Sequence, residues 1–297
     1  MEKYIDEFIN YLKVQKNYSE FTRINYEKDL VEYNSFLNEK NYDFNNMDYK
    51  KCMDYLIYLD DKKYKKTSIS RRLSSLRTFY KFLVLNSYTK TNPFLLISSP
   101  KKEKRIPKFI NYGGIEEIFN VPDKNTIEGQ RESVILEVLY GSGIRVSELV
   151  SIKLKDIDFN NKTILIFGKG SKERIVAFGD MAYDSMKLWI NNGRKVYLDG
   201  KTSDYLIVGK NETNLSTRRI EQIIDDLIKR TSIKMNITPH MFRHTFATHL
   251  LDQGCDLLAV QELLGHESLA STEIYTHVSN EHLREVYYKC HPRNNRK

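Results

Sequence analysis

Residues 98–109 read SSPKKEKRIPKF, and this segment limits the fold more than any other in the chain. Two prolines interrupt helix and strand alike, and five cations leave almost nothing to bury. Such a stretch cannot lie inside a core. It reads as a basic interdomain linker over residues 98–110, able to lie along a phosphate backbone. It divides the 297 residues into a unit of 1–97 and a larger one of 111–297, each long enough to bury its own core.

The first unit has the spacing of a helical bundle. Ile5, Phe8, Ile9 and Leu12 fall at i, i+3, i+4, i+7. Ser19 is a good N-cap for a second helix with Tyr26, Leu30, Tyr33 and Leu37 in a stripe. Cys52, Tyr55, Leu56 and Leu59 mark a third helix, and Ile69, Leu73, Leu76, Tyr80 and Leu83 a fourth from about Thr67 to Leu85. The second unit is mixed. A helix is expected over 128–140, broken by the GSG at 141–143. Strands over 163–167 and 174–178 flank a Gly-Lys-Gly turn, helices over 180–198 and 216–229 follow, and short helices with Gly254 and Gly265 as stops complete the chain.

Charge narrows the partner. The net charge is +8, which favours a polyanion. No run of eighteen apolar residues predicts a membrane span, and the N-terminus has no apolar signal region. Cys52, Cys255 and Cys290 are too few and too scattered for a disulfide framework or a zinc spacing, so a reducing cytoplasm is the expected home. From Lys62 to Lys102 there are eleven cations and not one acid. On the fourth helix Ser70, Ser74, Arg77 and Lys81 recur at i, i+4, i+7, i+11 beside Arg71 and Arg72. A solvated face is the ordinary reading of a basic run. Forty residues without a counter-charge favour DNA instead, with Lys101 and Lys102 of the linker extending the same surface.

Four segments of the second unit carry candidate chemistry: 143–149 (GIRVSEL), 168–174 (GKGSKER), 240–248 (HMFRHTFAT) and 264–269 (LGHESL), followed by YTH at 275–277. Each is weak alone. Seven histidines and sixteen arginines produce roughly 0.4 His-x-x-Arg pairs by chance. Tyr275 is one of twenty tyrosines, most of which simply pack. Gly-Lys-Gly lacks the P-loop spacing.

Taken in order, the four segments resemble the signature of the tyrosine site-specific recombinases of the phage integrase family, in particular the Xer type. The resemblance spans nearly the whole chain, including an S-x-x-R-x-L-S-x-L-R-like helix over 68–77 and the terminal HPR at 291–293. Ile144 and Phe242 stand where leucine is usual, both apolar exchanges. The resemblance implies a mainly α protein with a small β-sheet: an N-terminal helical, SAM-like core-binding domain and a C-terminal α+β catalytic domain, closed as a C-shaped clamp around DNA.

It also implies a reaction. Tyr275 attacks a DNA phosphodiester, forms a 3′-phosphotyrosyl link and releases a 5′-hydroxyl. Arg145 and Arg243 supply forked donors to the non-bridging oxygens. A phenol with a pKa of about 10 needs help to attack at neutral pH, and the same cations lower the cost of its anion. His240, at i, i+3 from Arg243, is the matching proton acceptor. Lys169 matches the general acid for the leaving oxygen, and His266 a further hydrogen-bond donor to the phosphate. Glu148, one turn after Arg145, is a candidate for orienting the site. No cofactor and no metal is expected. The expected partners are double-stranded DNA at a dif-like site, a second recombinase in a homo- or hetero-tetramer, and a septal DNA translocase, with no membrane.

Other readings compete. The duty expected is resolution of chromosome dimers during chromosome partition and cell division; an integrase or resolvase of a phage, plasmid or transposable element keeps the chemistry and changes the job. A non-catalytic DNA-binding protein and a topoisomerase of type IB-like chemistry are further alternatives. Residues 256–275 resemble a helix-turn-helix in isolation. The last helix, capped by Ser279 and carrying Leu283, Val286 and Tyr287, could pack on its own domain or, as the family implies, dock into a neighbouring protomer.

Overall fold

The computed structural model describes residues 1–100, 108–168, 173–209, 212–265 and 280–294, with side chains of the last stretch described from 283. Lys101, Lys102, Lys169, His266, Tyr275 and Ser279 lie outside the described residues. The chain separates into two compact units, Met1–Arg105 and Ile106–Lys297.

The first unit is built from α1 (Glu2–Val14), α2 (Glu20–Lys40), α3 (Tyr49–Asp61) and α4 (Lys66–Leu85). Ser19 caps α2 by accepting from the Thr22 N–H, satisfying one of the free donors of the first turn. The apolar stripes converge on one aromatic-rich core holding Phe8, Tyr33, Phe36, Tyr55, Phe79, Tyr80 and Phe94. Buried phenols need partners, and Tyr33 and Tyr80 bond each other at 2.8 Å while Tyr80 donates to the Phe44 carbonyl.

In the second unit α5 (Tyr112–Phe119) precedes α6 (Ile127–Ser142), the buried central helix, and the one-turn α7 (Val146–Leu149). Among the described residues, β1 (Ile157–Asp158), β2 (Thr163–Phe167) and β3 (Glu173–Ala177) form an antiparallel sheet in that order. The β2–β3 register runs from Thr163 opposite Ala177 to Phe167 opposite Glu173. Then come α8 (Asp180–Asn191), α9 (Gly193–Leu198), α10 (Thr217–Lys229), α11 (Pro239–Asp252), α12 (Leu257–Leu264) and α13 (Asn280–Cys290). Helices therefore dominate both units, with one small sheet in the second.

Two expectations needed adjustment. The helix expected over 180–198 is two helices, because the backbone turns at Asn192. There Gly193 donates to the Gln130 side chain and lies so close to Gln130 and Trp189 that a Cβ would come within 2.6 Å of the amide oxygen. The GSG does not break α6 at its first glycine. Gly141 and Ser142 stay helical and buried, and the helix stops at Gly143, whose φ of +60° suits glycine.

α13 and the following residues pack on the unit's own core. The Tyr287 hydroxyl donates to the Gly141 carbonyl at 2.6 Å, and Arg293 forks onto the buried Glu137. His291 is buried and stacked on Tyr287. His249, also buried, shares a 2.7 Å hydrogen bond with the Tyr140 hydroxyl.

Candidate active site

The site grows from the end of α6. Gly143 adopts a left-handed conformation, and a Cβ on it would sit 2.5 Å from the Phe246 ring of α11. This close approach brings α11 against the turn. One turn before Phe246, Arg243 donates through Nη1 to the Gly143 carbonyl at 2.7 Å and through Nη2 to the Leu264 carbonyl at 2.6 Å. The guanidinium thus fastens the ends of α6 and α12. Burial, and then the neighbouring Arg145 charge, bring its pKa down to about 10. It remains charged at neutral pH.

Arg145 is the N-cap residue of α7. Glu148 accepts from the Arg145 backbone N–H at 2.8 Å and from its Nη1 at 2.9 Å. The backbone contact is half of a capping box, which is why a carboxylate three residues into a helix start finds this place. A second arginine, Arg174 of β3, grips the same carboxylate with Nη1 at 2.8 Å and Nη2 at 2.9 Å. Burial pushes the Glu148 carboxyl up, but the hydrogen bonds from Arg174 and Arg145 outweigh it and hold it at about 2. Two guanidiniums therefore bond one carboxylate, and the charge of Arg243 acts on the same group, an excess of positive charge suited to a phosphate.

His240 is exposed at the second residue of α11, one turn before Arg243, with Pro239 fixing the first helical position. The structure thus brings Arg145, Arg243 and Glu148 together, and sets His240 on the helix that carries Arg243. Gly265, the residue before His266, ends α12 with a φ of +65° and packs so tightly on Arg174 that a Cβ would lie 2.7 Å from its Cδ.

Arg174 is the residue at this site that the sequence did not single out. It lies in the segment singled out for Lys169, and its signal was alternation. Glu173 and Ile175 are exposed while Arg174 and Val176 face inward, and an inward arginine requires hydrogen-bond acceptors.

The basic helix of the first unit divides by partner. Arg72 is 8% exposed and bonds Glu32 at 2.8 Å, with its guanidinium over the Tyr64 ring. Arg71 pairs with the buried Asp29. Arg77 donates to the carbonyls of Phe94 and Ile97 and to the Ser99 hydroxyl, so it ties the end of the unit to α4. The Ser70 hydroxyl is buried and has no hydrogen-bond partner, whereas Ser74 and Lys81 are exposed. The acids that meet Arg71 and Arg72 come from α2, outside the acid-free stretch.

Both units match known families. The phage integrase family is matched over residues 108–282 and the phage integrase N-terminal SAM-like domain over residues 5–86. The chain belongs to the phage integrase family, as its four sequence segments suggested. Its relatives include Tyrosine recombinase XerC of Staphylococcus epidermidis, 42% identical over 293 residues that cover 99% of this chain and 98% of that protein. Tyrosine recombinase XerC of Oceanobacillus iheyensis is 43% identical over 298 residues, again covering 99% and 98%. The Xer-type resemblance therefore extends over nearly the whole length, and the enzyme class of these relatives is tyrosine recombinase. Among solved structures, XerA recombinase aligns over 98% of this chain and 99% of its own at 29% identity, with a TM-score of 0.50. The Tn1549 transposon integrase in complex with transposon right end DNA shares the fold at 18% identity, with a TM-score of 0.70 over 95% of this chain and 97% of that one. No helix among the described residues is long and apolar enough to cross a membrane.

Proposed function

We propose that this protein is a site-specific recombinase that cuts and rejoins double-stranded DNA through a 3′-phosphotyrosyl intermediate. The observation that carries this reading is the Arg145–Arg243 pair, held by Glu148 and two helix-end carbonyls in a chain 42% identical to a XerC recombinase. The Tyr275 oxygen attacks phosphorus, and His240 accepts the phenolic proton. The phosphorus–5′-oxygen bond breaks, and Lys169 delivers a proton to that oxygen. Arg145 and Arg243 hold the non-bridging oxygens as negative charge grows, and His266 adds a further hydrogen bond. Removing one such preorganised donor costs about 10²–10³ in rate. The phosphotyrosyl bond keeps the energy of the broken diester, so a 5′-hydroxyl of another strand attacks it without ATP. Arg, Lys and His supply the stabilising charge, so cleavage is expected to persist in EDTA.

DNA contacts in the first unit fall on Ser74 and Lys81 with Ser70 and Arg71 beside them, while Arg72 and Arg77 shape the surface from within. Lys101 and Lys102 continue it. The duty that best suits relatives named XerC is resolution of chromosome dimers at a dif-like site, by a tetramer with itself or a second recombinase, activated by a septal DNA translocase, in the cytoplasm.

A nicked duplex that traps cleavage tests the reading. Wild-type protein on the host's replication-terminus DNA is expected to leave a protein–DNA adduct that survives denaturation. Tyr275→Phe is expected to bind that DNA and leave none. An adduct from Tyr275→Phe means another nucleophile. Cleavage confined to the ends of a mobile element makes the duty integration.

A further inference from the structure

Glu148 raises an electrostatic problem that Arg145 cannot solve alone. A carboxylate bonded to both the backbone and the guanidinium of Arg145 orients that arginine and also cancels its charge. An arginine neutralised in this way is a poor partner for a phosphate anion. The structure holds a second cation at the same carboxylate. Arg174 takes both carboxylate oxygens in a parallel fork, the strongest geometry for this pair.

Exposure separates the two arginines. The Arg145 side chain is 40% exposed and open to a ligand, Glu148 is 5% exposed, and Arg174 is 19% exposed behind it. The Arg174 Nε is buried without a hydrogen-bond partner, and the chain beside it packs on Gly265, where no Cβ fits. Arg174 is thus enclosed by α7, β3 and the end of α12. The same end of α12 supplies the Leu264 carbonyl to Arg243.

We propose that Arg174 is a positioning residue for strand cleavage: it holds Glu148 in a bidentate pair and offsets its charge, so that Arg145 stays aimed and positively charged for the scissile phosphate. This inference rests on the recombinase reading and adds to it a division of labour among three arginines. Arg145 and Arg243 meet the phosphate. Among the described residues Arg174 hydrogen-bonds Glu148, and through Gly265 it also sets the end of α12. Arg174 is expected to influence rate without touching DNA.

The test measures single-turnover adduct formation on the nicked duplex, with duplex affinity measured separately. Arg174→Met is expected to lower the adduct rate about 100-fold, as misplaced catalytic groups commonly do, with affinity within twofold of wild type. Arg174→Lys, which keeps the charge and loses the fork, is expected to recover part of the rate. In Arg174→Met the carboxylate titrates at a higher pH, and its protonation removes the charge that cancels Arg145. The rate of Arg174→Met relative to wild type is therefore expected to rise from about pH 7 to about pH 5. By the same logic, Arg174→Met with Glu148→Gln is expected to be faster than Arg174→Met alone.

Wild-type rate in Arg174→Met overturns the proposal. So does a flat relative pH profile combined with a double variant no faster than the single one. A loss seen mainly in affinity means that Arg174 contacts DNA, which also overturns it. Wild-type protein without any adduct counts against the recombinase reading instead. In that case a ¹³C titration of Glu148 still decides the positioning claim. Its carboxyl should titrate low in wild type, near there in Arg174→Lys and clearly higher in Arg174→Met, and the same value in all three overturns it. If Arg174→Met does not fold, Arg174→Lys carries the rate measurement, and a rate equal to wild type from a single-pronged lysine overturns the need for the fork.

Discussion

Arg243 on α11, proposed above to hold the phosphate, donates a 2.7 Å hydrogen bond to the carbonyl of Gly143, the residue that ends α6. The bond exists because Gly143 has no side chain. Its φ is +60°, and a Cβ would lie 2.5 Å from the Phe246 ring. Gly143→Ala is expected to cost about 3 kcal/mol, combining left-handed strain with an overfilled contact. Adduct formation should fall further than stability alone explains, because Arg243 loses its anchor. Urea unfolding and single-turnover cleavage measure the two effects, and an unchanged midpoint contradicts the packing argument.

Arg77 and Lys81 stand one turn apart on α4 and should behave oppositely. Arg77 makes three hydrogen bonds within the first unit, two of them to carbonyls, whereas Lys81 is exposed. Arg77→Ala is expected to lower stability by about 2 kcal/mol by leaving those acceptors unpaired. Lys81→Ala should leave the melting temperature alone and weaken DNA binding, reducing the salt slope by about 1. Melting curves and binding at several salt concentrations separate them, and a Lys81→Ala variant with an unchanged slope removes that contact.

His291 is expected to make the second unit sensitive to acid. Its Nε2–H donates to the Tyr140 carbonyl at 3.4 Å and its Nδ1 accepts from the Arg293 N–H at 3.2 Å, the arrangement of a neutral ring. Burial pushes its pKa down to about 3. A depressed histidine contributes stability fully present above its ordinary value near 6.5 and lost as pH falls from there toward 3. At pH 5 the loss amounts to about 2 kcal/mol. His291→Phe keeps the stack on Tyr287 and should lose less stability between pH 7 and pH 5 than wild type does. Equal losses in urea titrations at the two pH values rule His291 out as the acid-sensitive group.

Lys169 is expected to show itself through the leaving group. Lys169→Ala should slow cleavage of ordinary DNA by about 10²–10⁴, the usual worth of a positioned proton donor. A duplex with a 5′-bridging sulfur, which leaves without a proton, should restore most of that rate. No restoration assigns the general acid to another residue.

The four helices of the first unit were legible because each buries a stripe at 3.6-residue spacing. Ile69, Leu73, Leu76, Tyr80 and Leu83 are all buried on α4, as their intervals require. The hairpin was legible because TILIF at 163–167 and RIVAF at 174–178 are β-rich runs on either side of a Gly-Lys-Gly sequence. The break between α8 and α9 was not, because it depends on Gln130, sixty-three residues before the glycine it bonds. The short α5 was missed as well, since Tyr112–Phe119 has glycine at its second and third positions, which argues against a helix.

Chemistry divides along the same line. Resemblance to the tyrosine recombinases, carried by the order and type of four segments, put forward Arg145, Lys169, His240, Arg243, His266 and Tyr275 as a catalytic set. Only the tertiary structure decided which cations face inward. Arg72 belongs to Glu32, Arg174 to Glu148 and Arg293 to Glu137, leaving Arg145 partly open. An arginine looks the same in a sequence whether it awaits an anion or already holds one. Its partner is chosen by the packing of elements up to 156 residues away, where a buried carboxylate must be matched or protonated.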